Sequence, residues 1–247
     1  QSSLSLIVGS IFFSFQIYGD FSGYSDMAVG LSRIFGFDLI TNFKFPYLSR
    51  NISEFWKKWH ISLSSWFRDY LYIPLGGNRK GRTRAIFNVF MVFLVSGFWH
   101  GANWTFILWG LIHGIVYLFY FINDEQKDKI TEGFTFTCFV QVIFTFLIVS
   151  LAFVFFRSPS VADSFGYLNG ILFSTNSSAF FLSTNKHALM SGITILGILI
   201  MLIYEIIAQS KGRLEVNLRS FDLLFVGLCI VFLGAFKNPL DFIYFQF

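Results

Sequence analysis

The stretch Val95-Ser96-Gly97-Phe98-Trp99-His100-Gly101-Ala102-Asn103-Trp104 places a histidine inside an apolar run that extends from Ile86 to Ile122. An ionisable group is costly within a membrane-length segment, so a functional site is the first interpretation of His100. The glycines beside it also permit close backbone approach. A neutral His100 that only stabilises a packed helical turn is therefore the alternative.

The amino-acid composition indicates the broad class of protein to which the chain belongs. The 247 residues are 55% hydrophobic and 13% charged, against about 25% charged in an ordinary soluble domain. Several apolar segments reach the roughly 20 residues that a membrane-spanning helix needs. The segments are Leu4–Tyr18 with a continuation over Phe21–Phe37, Ile86–Ile122, Phe134–Phe156, Ala188–Ala208 and Phe221–Phe236. The sequence predicts an all-α polytopic membrane protein.

The distribution of basic residues predicts which connections face the cytoplasm. Residues 44–84 carry nine Lys or Arg against Glu54 and Asp69, which indicates a cytoplasmic or interfacial segment. The stretch 158–187 contains few Lys or Arg residues, which suits the outer side of the membrane. Cytoplasmic and outer connections alternate along the chain if residues 86–122 cross the membrane twice. Two crossings need about 40 residues, so we expect a tight hairpin that turns at His100.

Residues 51–73 are predicted to form one amphipathic helix in the membrane interface. Asn51 and Glu54 form an N-terminal capping pattern, and Pro74 ends the helix. The apolar residues, which cluster on one face, are Ile52, Phe55, Trp56, Trp59, Leu63, Trp66, Phe67 and Tyr70. His60 lies at the border of that face. It could contact a polar substrate, or be an interfacial histidine without chemistry.

The glycine- and cation-rich loop 76–83 nearly matches a P-loop, but it has Arg82 where Lys is required and no strand precedes it. We therefore expect no nucleotide-hydrolysing site. The cations suit anionic lipid headgroups, or the phosphates of a cytosolic thioester donor. The His spacing predicts no metal site, and the sequence predicts no bound cofactor and no nucleic-acid partner.

Other polar residues are weaker candidates. His113 follows His100 by thirteen residues, nearly on the opposite face of a continuous helix, so we expect a mainly structural role for it. Asn103 could orient His100 or a substrate. Arg68 and Asp69 are further supporting candidates. His100 itself could act as a general base, because a neutral imidazole can remove a proton from a hydroxyl that attacks an acyl thioester.

Long motifs give the chain a resemblance to a known family. They are Tyr18–Met27, Asn42–Tyr47, Glu54–Leu63, Phe67–Arg79, Gly97–Trp104, Trp109–Gly114, Phe155–Arg157 and Phe242–Phe247. With these motifs the chain resembles the membrane-bound O-acyltransferase (MBOAT) family, in the branch that contains the bacterial alginate O-acetylation membrane protein. The resemblance implies a ring of helices around a thin centre. It also implies that His100 is catalytic and that His60 is the second important histidine.

The resemblance implies a multi-pass protein of the bacterial inner membrane. Such a protein moves an acyl group, most often acetyl, from acetyl-CoA or another cytosolic thioester toward an exported polysaccharide such as alginate. Periplasmic acetyltransferases are the implied partners. Family members are roughly twice as long, so we expect 1–247 to be the C-terminal part of one transmembrane domain with a partial ring.

Two other functions stay open. One is D-alanyl transfer to teichoic acid from a carrier protein, which the long Tyr70–Arg79 motif disfavours. The other is a non-enzymatic transporter or channel in which His100 and Asp20 line a path. The acceptor polysaccharide is not indicated by the sequence.

Overall fold

The computed structural model describes residues 2–123, 135–176 and 184–212. Within these ranges the chain is helical, without strands. The α-helices are α1 (Ser3–Ile34), α2 (Ile52–Lys58), α3 (Ile61–Phe67), α4 (Arg82–His100), α5 (Trp104–Asn123), α6 (Phe136–Arg157), α7 (Val161–Phe173) and α8 (Asn185–Ser210). A 3-10 helix covers Pro46–Leu48 and a π-helical turn covers Arg68–Tyr72. The all-α prediction is confirmed.

Five of the described helices are long and apolar enough to cross a membrane: α1, α4, α5, α6 and α8. Helix α1 joins the two predicted N-terminal segments into 32 residues, about 48 Å at 1.5 Å per residue. The predicted apolar segment Phe221–Phe236 lies outside the described residues. The chain is thus a polytopic membrane protein, as its composition predicts.

The predicted hairpin is present over residues 82–123. Helix α4 ends at His100 and α5 begins at Trp104, so the chain reverses over only three residues. At the other end of the hairpin, the guanidinium of Arg82 donates to the carbonyl of Ile122 at 2.5 Å. A Cβ atom on Gly97 or Gly110 would collide with the backbone of the facing helix. The two helices therefore touch through their main chains.

Two compact units divide the chain between Ile195 and Leu196, and the residues of interest lie in the first. In that unit α5 packs on α4 and α6, and α1 packs on α6 and α7. A buried hydrogen bond of 2.9 Å joins the hydroxyls of Ser14 in α1 and Ser150 in α6. Helix α2 lies across α5, which carries the basic segment onto the hairpin.

The structure corrects the prediction of one helix over residues 51–73. The helix starts as expected, because the Asn51 side chain accepts from the amide of Glu54 at 2.8 Å. It then breaks at Trp59 and His60 into α2 and α3. Of the predicted apolar face, Ile52, Phe55, Trp59 and Phe67 are buried, whereas Trp66 and Tyr70 are exposed. The stretch 158–187 also contains α7, which the Ser160 side chain caps.

Candidate active site

His60 occupies the break between α2 and α3 in a left-handed conformation, with φ 44° and ψ 56°. Few residues other than glycine adopt positive φ, although histidine does so more often than most. The amide of Trp59 makes the last hydrogen bond of α2, to Phe55, and the carbonyl of His60 accepts the first of α3, from Ser64. Such a conformation costs about 1–3 kcal/mol and persists where surrounding contacts fix it.

Asn42 supplies those contacts from a distant part of the sequence. Its side-chain oxygen accepts from the amide and the hydroxyl of Ser62, at 3.0 and 2.6 Å. Its carbonyl accepts from the amide of Ile61 at 3.0 Å, and the amide of Lys44 donates to the carbonyl of Lys58. The backbone is thus pinned on both sides of His60.

The imidazoles of His60 and His100 pack against the same indole. Ring centroids are 6.5 Å apart for His60 and Trp99, and 5.0 Å for His100 and Trp99. The two imidazole centroids can therefore be no further apart than the sum of these distances. The edge of Phe21 in α1 packs on His60 at 4.7 Å. The break in the basic segment thus brings the two predicted histidines together.

His100 is the last residue of α4 and is half-buried. Besides Trp99, its ring packs at right angles on Trp109 at 5.0 Å and Phe156 at 5.2 Å. Trp99 itself is 55% exposed. The histidine is therefore held by aromatic walls on several sides, beside an indole that a substrate can approach.

His113 is fully buried and also packs on Trp109, with ring centroids 5.0 Å apart. The expectation that His100 and His113 face opposite ways assumed a continuous helix, whereas the chain reverses between them and places one histidine on each arm of the hairpin. Phe55 stacks on His113 at 6.3 Å. Neither ring nitrogen of His113 has a hydrogen-bond partner within the described residues.

Asn103 stabilises the turn after His100. Its side-chain oxygen accepts from the amide of Thr105 at 3.1 Å, at the start of α5. Its side-chain nitrogen donates to the carbonyl of Pro159, also at 3.1 Å. Asn103 thereby ties the turn to the connection between α6 and α7, and within the described residues the structure shows no direct hydrogen bond from it to His100.

Arg68 and Asp69 form an exposed pair on the π-helical turn, with two hydrogen bonds of 2.8 and 3.1 Å. The Arg68 guanidinium lowers the pKa of the Asp69 carboxyl. The pair is nearly neutral as a unit. Lys57 has no ionic partner in the part of the chain that the structure describes, so it is the stronger cationic candidate nearby.

Burial among aromatic rings lowers the pKa of His60 from 6.5 to about 4. His60 is therefore neutral at physiological pH, with one ring nitrogen that donates and one that accepts a hydrogen bond. A neutral imidazole suits positioning or proton shuttling. Within the described residues no group of three His, Cys, Asp or Glu side chains could hold a metal ion.

A cavity of about 460 Å³ separates the α2–α3 segment from the α4–α5 hairpin. Its lining includes Ile61, which follows His60, and Ser96, one helical turn before His100. Lys57 and Arg68 are its cationic members. The size falls within the range of about 300–1,000 Å³ that is usual for small-molecule sites. The cavity therefore offers space for a ligand beside residues that flank the two histidines in the chain, although neither His60 nor His100 is among its lining residues.

Sequence reasoning missed the residues that assemble this arrangement. Asn42 lies in one of the motifs that carry the family resemblance, but nothing in its local pattern indicates a contact with Ser62. Trp99 and Trp109 were noted only as neighbours or motif residues. Their role depends on helices that meet in space, and periodicity within one helix does not report such contacts.

The family model for MBOAT, membrane-bound O-acyltransferase family, matches residues 1–156. The chain belongs to this family. The matched residues include α1, the basic segment, the hairpin and nearly all of α6. They contain His60, His100 and the aromatic rings that surround them.

Curated relatives are similar to between about two thirds and seven tenths of the chain. A peptidoglycan O-acetyltransferase of Helicobacter pylori is 44% identical over 174 residues, which cover 69% of this chain and 33% of that protein. A probable alginate O-acetylase AlgI of Pseudomonas syringae pv. tomato is 44% identical, over 68% of this chain and 31% of that protein. A teichoic acid D-alanyltransferase of Streptococcus thermophilus is 32% identical, over 65% of this chain and 41% of that protein. The chain matches about a third of the length of the two acetyl-transferring relatives.

Proposed function

We propose that this chain carries the acyl-transfer centre of a bacterial inner-membrane O-acyltransferase, which moves acetyl from a cytosolic thioester to an exported polysaccharide. One observation carries the proposal: the break at His60 and the end of α4 bring His60 and His100 onto the same indole, Trp99. The family supports acyl transfer to oxygen. Two acetyl-transferring relatives at 44% identity support acetyl as the group.

In the proposed reaction His100 is the general base. A hydroxyl oxygen of the acceptor attacks the carbonyl carbon of the thioester while the His100 imidazole takes the hydroxyl proton. The carbon–sulfur bond then breaks, the new ester is released, and the imidazolium returns its proton to the departing thiolate. No covalent intermediate on the protein is needed. His60, which is neutral, holds the donor or relays the proton.

The cavity of about 460 Å³ is the proposed place for the donor, with its thioester end extending toward His60 and His100. Positive-inside reasoning puts the basic segment on the cytoplasmic side, and the cavity lies between that segment and the hairpin. A donor such as acetyl-CoA carries phosphates that Lys57 can attract. We further propose that periplasmic acetyltransferases complete the transfer to the polysaccharide and that membrane lipids surround the spanning helices.

The D-alanyltransferase relative supports a second candidate, in which a carrier protein presents the thioester. Its identity to this chain is lower than that of the acetyl-transferring relatives. The two candidates differ in their donor. Labelled acetyl-CoA supports transfer in the first case only, and a D-alanyl carrier protein supports it in the second only.

The test is acetyl transfer in membrane vesicles that contain the protein together with the periplasmic acetyltransferases proposed as its partners. We expect labelled acetyl to pass from acetyl-CoA to polysaccharide with wild type, and the rate to fall by at least 100-fold in His100→Gln, because general-base catalysis contributes about 10²–10⁴-fold. His187→Gln, at the start of α8 outside the site, is the matched control and retains activity. Undiminished acetylation by a folded His100→Gln protein would overturn the proposal.

A further inference from the structure

A second cavity of about 350 Å³ lies where the start of α2 meets α5 and α6. Its apolar walls are Val116 and Phe119 of α5 with Phe144 and Ile148 of α6, and its polar end is formed by Arg50 and Asn51. We call it the α5–α6 groove. It shares no lining residue with the cavity between the α2–α3 segment and the hairpin, and the proposed function assigns it no role.

The shape of the groove suits a hydrocarbon chain. Along α6 the lining runs from Gln141 to Ile148, which is about 10 Å at 1.5 Å per residue. One leaflet of a bilayer has a hydrocarbon depth of about 15 Å. Both walls belong to candidate membrane spans, and Phe119 and Phe144 are 71% and 63% exposed. In a bilayer these side chains contact acyl chains.

The polar end carries surplus positive charge. Glu54 lies between two cations, with Arg50 at 3.7 Å and Lys58 at 2.7 Å. Although burial opposes its ionisation, hydrogen bonds from Lys58 and from the Arg50 amide lower the pKa of Glu54. The carboxylate is thus ionised, but a single negative charge cannot neutralise both cations. A net positive charge remains at the mouth of the groove.

Arg50 also has hydrogen-bonding capacity to spare. The described partners of its guanidinium are the Cys138 thiol at 3.8 Å and the Glu54 carboxylate. A thiol is a weak acceptor, whereas a guanidinium has five N–H donors that match phosphate geometry. The Arg50 side chain is 28% exposed, so a ligand at the groove entrance can reach it.

We propose that the α5–α6 groove binds an anionic phospholipid, with one acyl chain between the two helices and the phosphate on Arg50. The apolar walls bind the chain, and the surplus charge selects an anionic headgroup over a zwitterionic one. The lipid would fasten the start of α2 to the membrane-spanning helices. This site is independent of acyl transfer.

The test uses the full protein in nanodiscs with a phosphatidylglycerol probe that carries a photoreactive group in its acyl chain, and a phosphatidylcholine probe for comparison. Crosslinked peptides are mapped by mass spectrometry. We expect the phosphatidylglycerol probe to label 116–120 and 141–148 preferentially. Arg50→Gln is expected to lower that labelling about tenfold, since the variant loses a charged hydrogen bond to the phosphate. Arg84→Gln, an exposed arginine on α4, is the charge control.

A second pair of variants tests the groove itself. Val116→Trp fills it and is expected to abolish the labelling, whereas Leu151→Trp, on the exposed face of α6 outside the groove, leaves it unchanged. Gel filtration verifies that each variant is folded. The proposal is overturned if both probes label the groove equally, or if filling it has no effect, because either result means unselective lipid contact. Absence of labelling in wild type overturns it as well and indicates that protein covers the groove.

Discussion

Asn42 is hydrogen-bonded to Ser62 through one side-chain oxygen, which accepts from both the amide and the hydroxyl of Ser62 at 3.0 and 2.6 Å. The contact joins residues that are twenty positions apart and lies two residues after His60. It makes Asn42 a positioning residue for the histidine, without contact between Asn42 and any reacting group.

Replacing Asn42 tests that role. Asn42→Ala leaves the Ser62 amide and hydroxyl without this acceptor, and we expect a loss of about 1–3 kcal/mol in the free energy of unfolding together with reduced acetyl transfer. Asn42→Asp keeps an oxygen at the same place. Rescue of transfer by Asn42→Asp is the expected result; equal loss in both variants would contradict the positioning role. Activity in vesicles and thermal unfolding in detergent provide the two measurements.

The backbone conformation of His60 predicts a difference between Ala and Gly at this position. Both variants remove the imidazole and are expected to lose acetyl transfer. His60→Gly should be more stable than His60→Ala by about 1–2 kcal/mol, because only glycine adopts the left-handed conformation without strain. Thermal unfolding measures the difference. Normal transfer by His60→Gly would mean that the bend matters and the imidazole does not.

Burial of His60 makes stability depend on pH. The pKa of His60 is about 4 in the folded protein and about 6.5 in the unfolded chain. Between these values the unfolded chain binds a proton that the folded protein does not, so the free energy of unfolding falls as the pH is lowered from 6.5 to 4. The loss attributable to His60 is at most about 3 kcal/mol.

The pH effect is measured by thermal unfolding of wild type and His60→Asn at pH 7 and pH 5. Asparagine also tolerates the left-handed conformation, so the comparison isolates the titrating group. Wild type is expected to lose more stability than His60→Asn over this interval. Parallel losses in the two proteins would show that His60 titrates normally.

Contact between α4 and α5 predicts that Gly97→Ala destabilises the protein. The added methyl group meets the backbone of Phe106, and overpacking of this kind costs about 1–3 kcal/mol. Gly30→Ala is the matched control, because that helical glycine has open space where a Cβ would lie. Alanine there is expected to be neutral or stabilising. Unfolding midpoints that fall equally in both variants would refute the close contact.

His113→Phe tests whether His113 is structural. Within the described residues its buried nitrogens have no hydrogen-bond partner, and such groups cost about 1–3 kcal/mol each. We expect the variant to be at least as stable as wild type and to retain acetyl transfer. If transfer is lost while the unfolding midpoint is unchanged, His113 takes part in the chemistry.

Much of the fold was predictable because membrane helices impose a minimum apolar length. That requirement predicted the long apolar helices, whereas the alternation of basic and non-basic connections predicted a double crossing over 86–122 with a tight turn at the His100 segment. The break at His60 was not predictable, because helical spacing of apolar residues continues across it and no glycine or proline marks it. Its cause is a set of hydrogen bonds from Asn42 and Lys44, which are distant in sequence.

The candidate site, like the fold, was predictable only in part. His100 was identifiable from the sequence, because an ionisable residue is costly inside an apolar run and therefore indicates a functional site. Its proximity to His60 rested on the family resemblance until the structure placed both rings on Trp99. The opposite-face relation of His100 and His113 was stated for a continuous helix, and it does not apply because the chain reverses between them.

Backbone contact at Gly97 and Gly110 has a consequence for the rings beside it. A Cβ atom on either glycine would meet the main chain of the facing helix, so no side chain at these positions acts as a spacer between α4 and α5. His100 follows Gly97 by three residues, and Trp109 precedes Gly110. The absence of a spacer lets the rings of His100 and Trp109 approach to 5.0 Å between centroids.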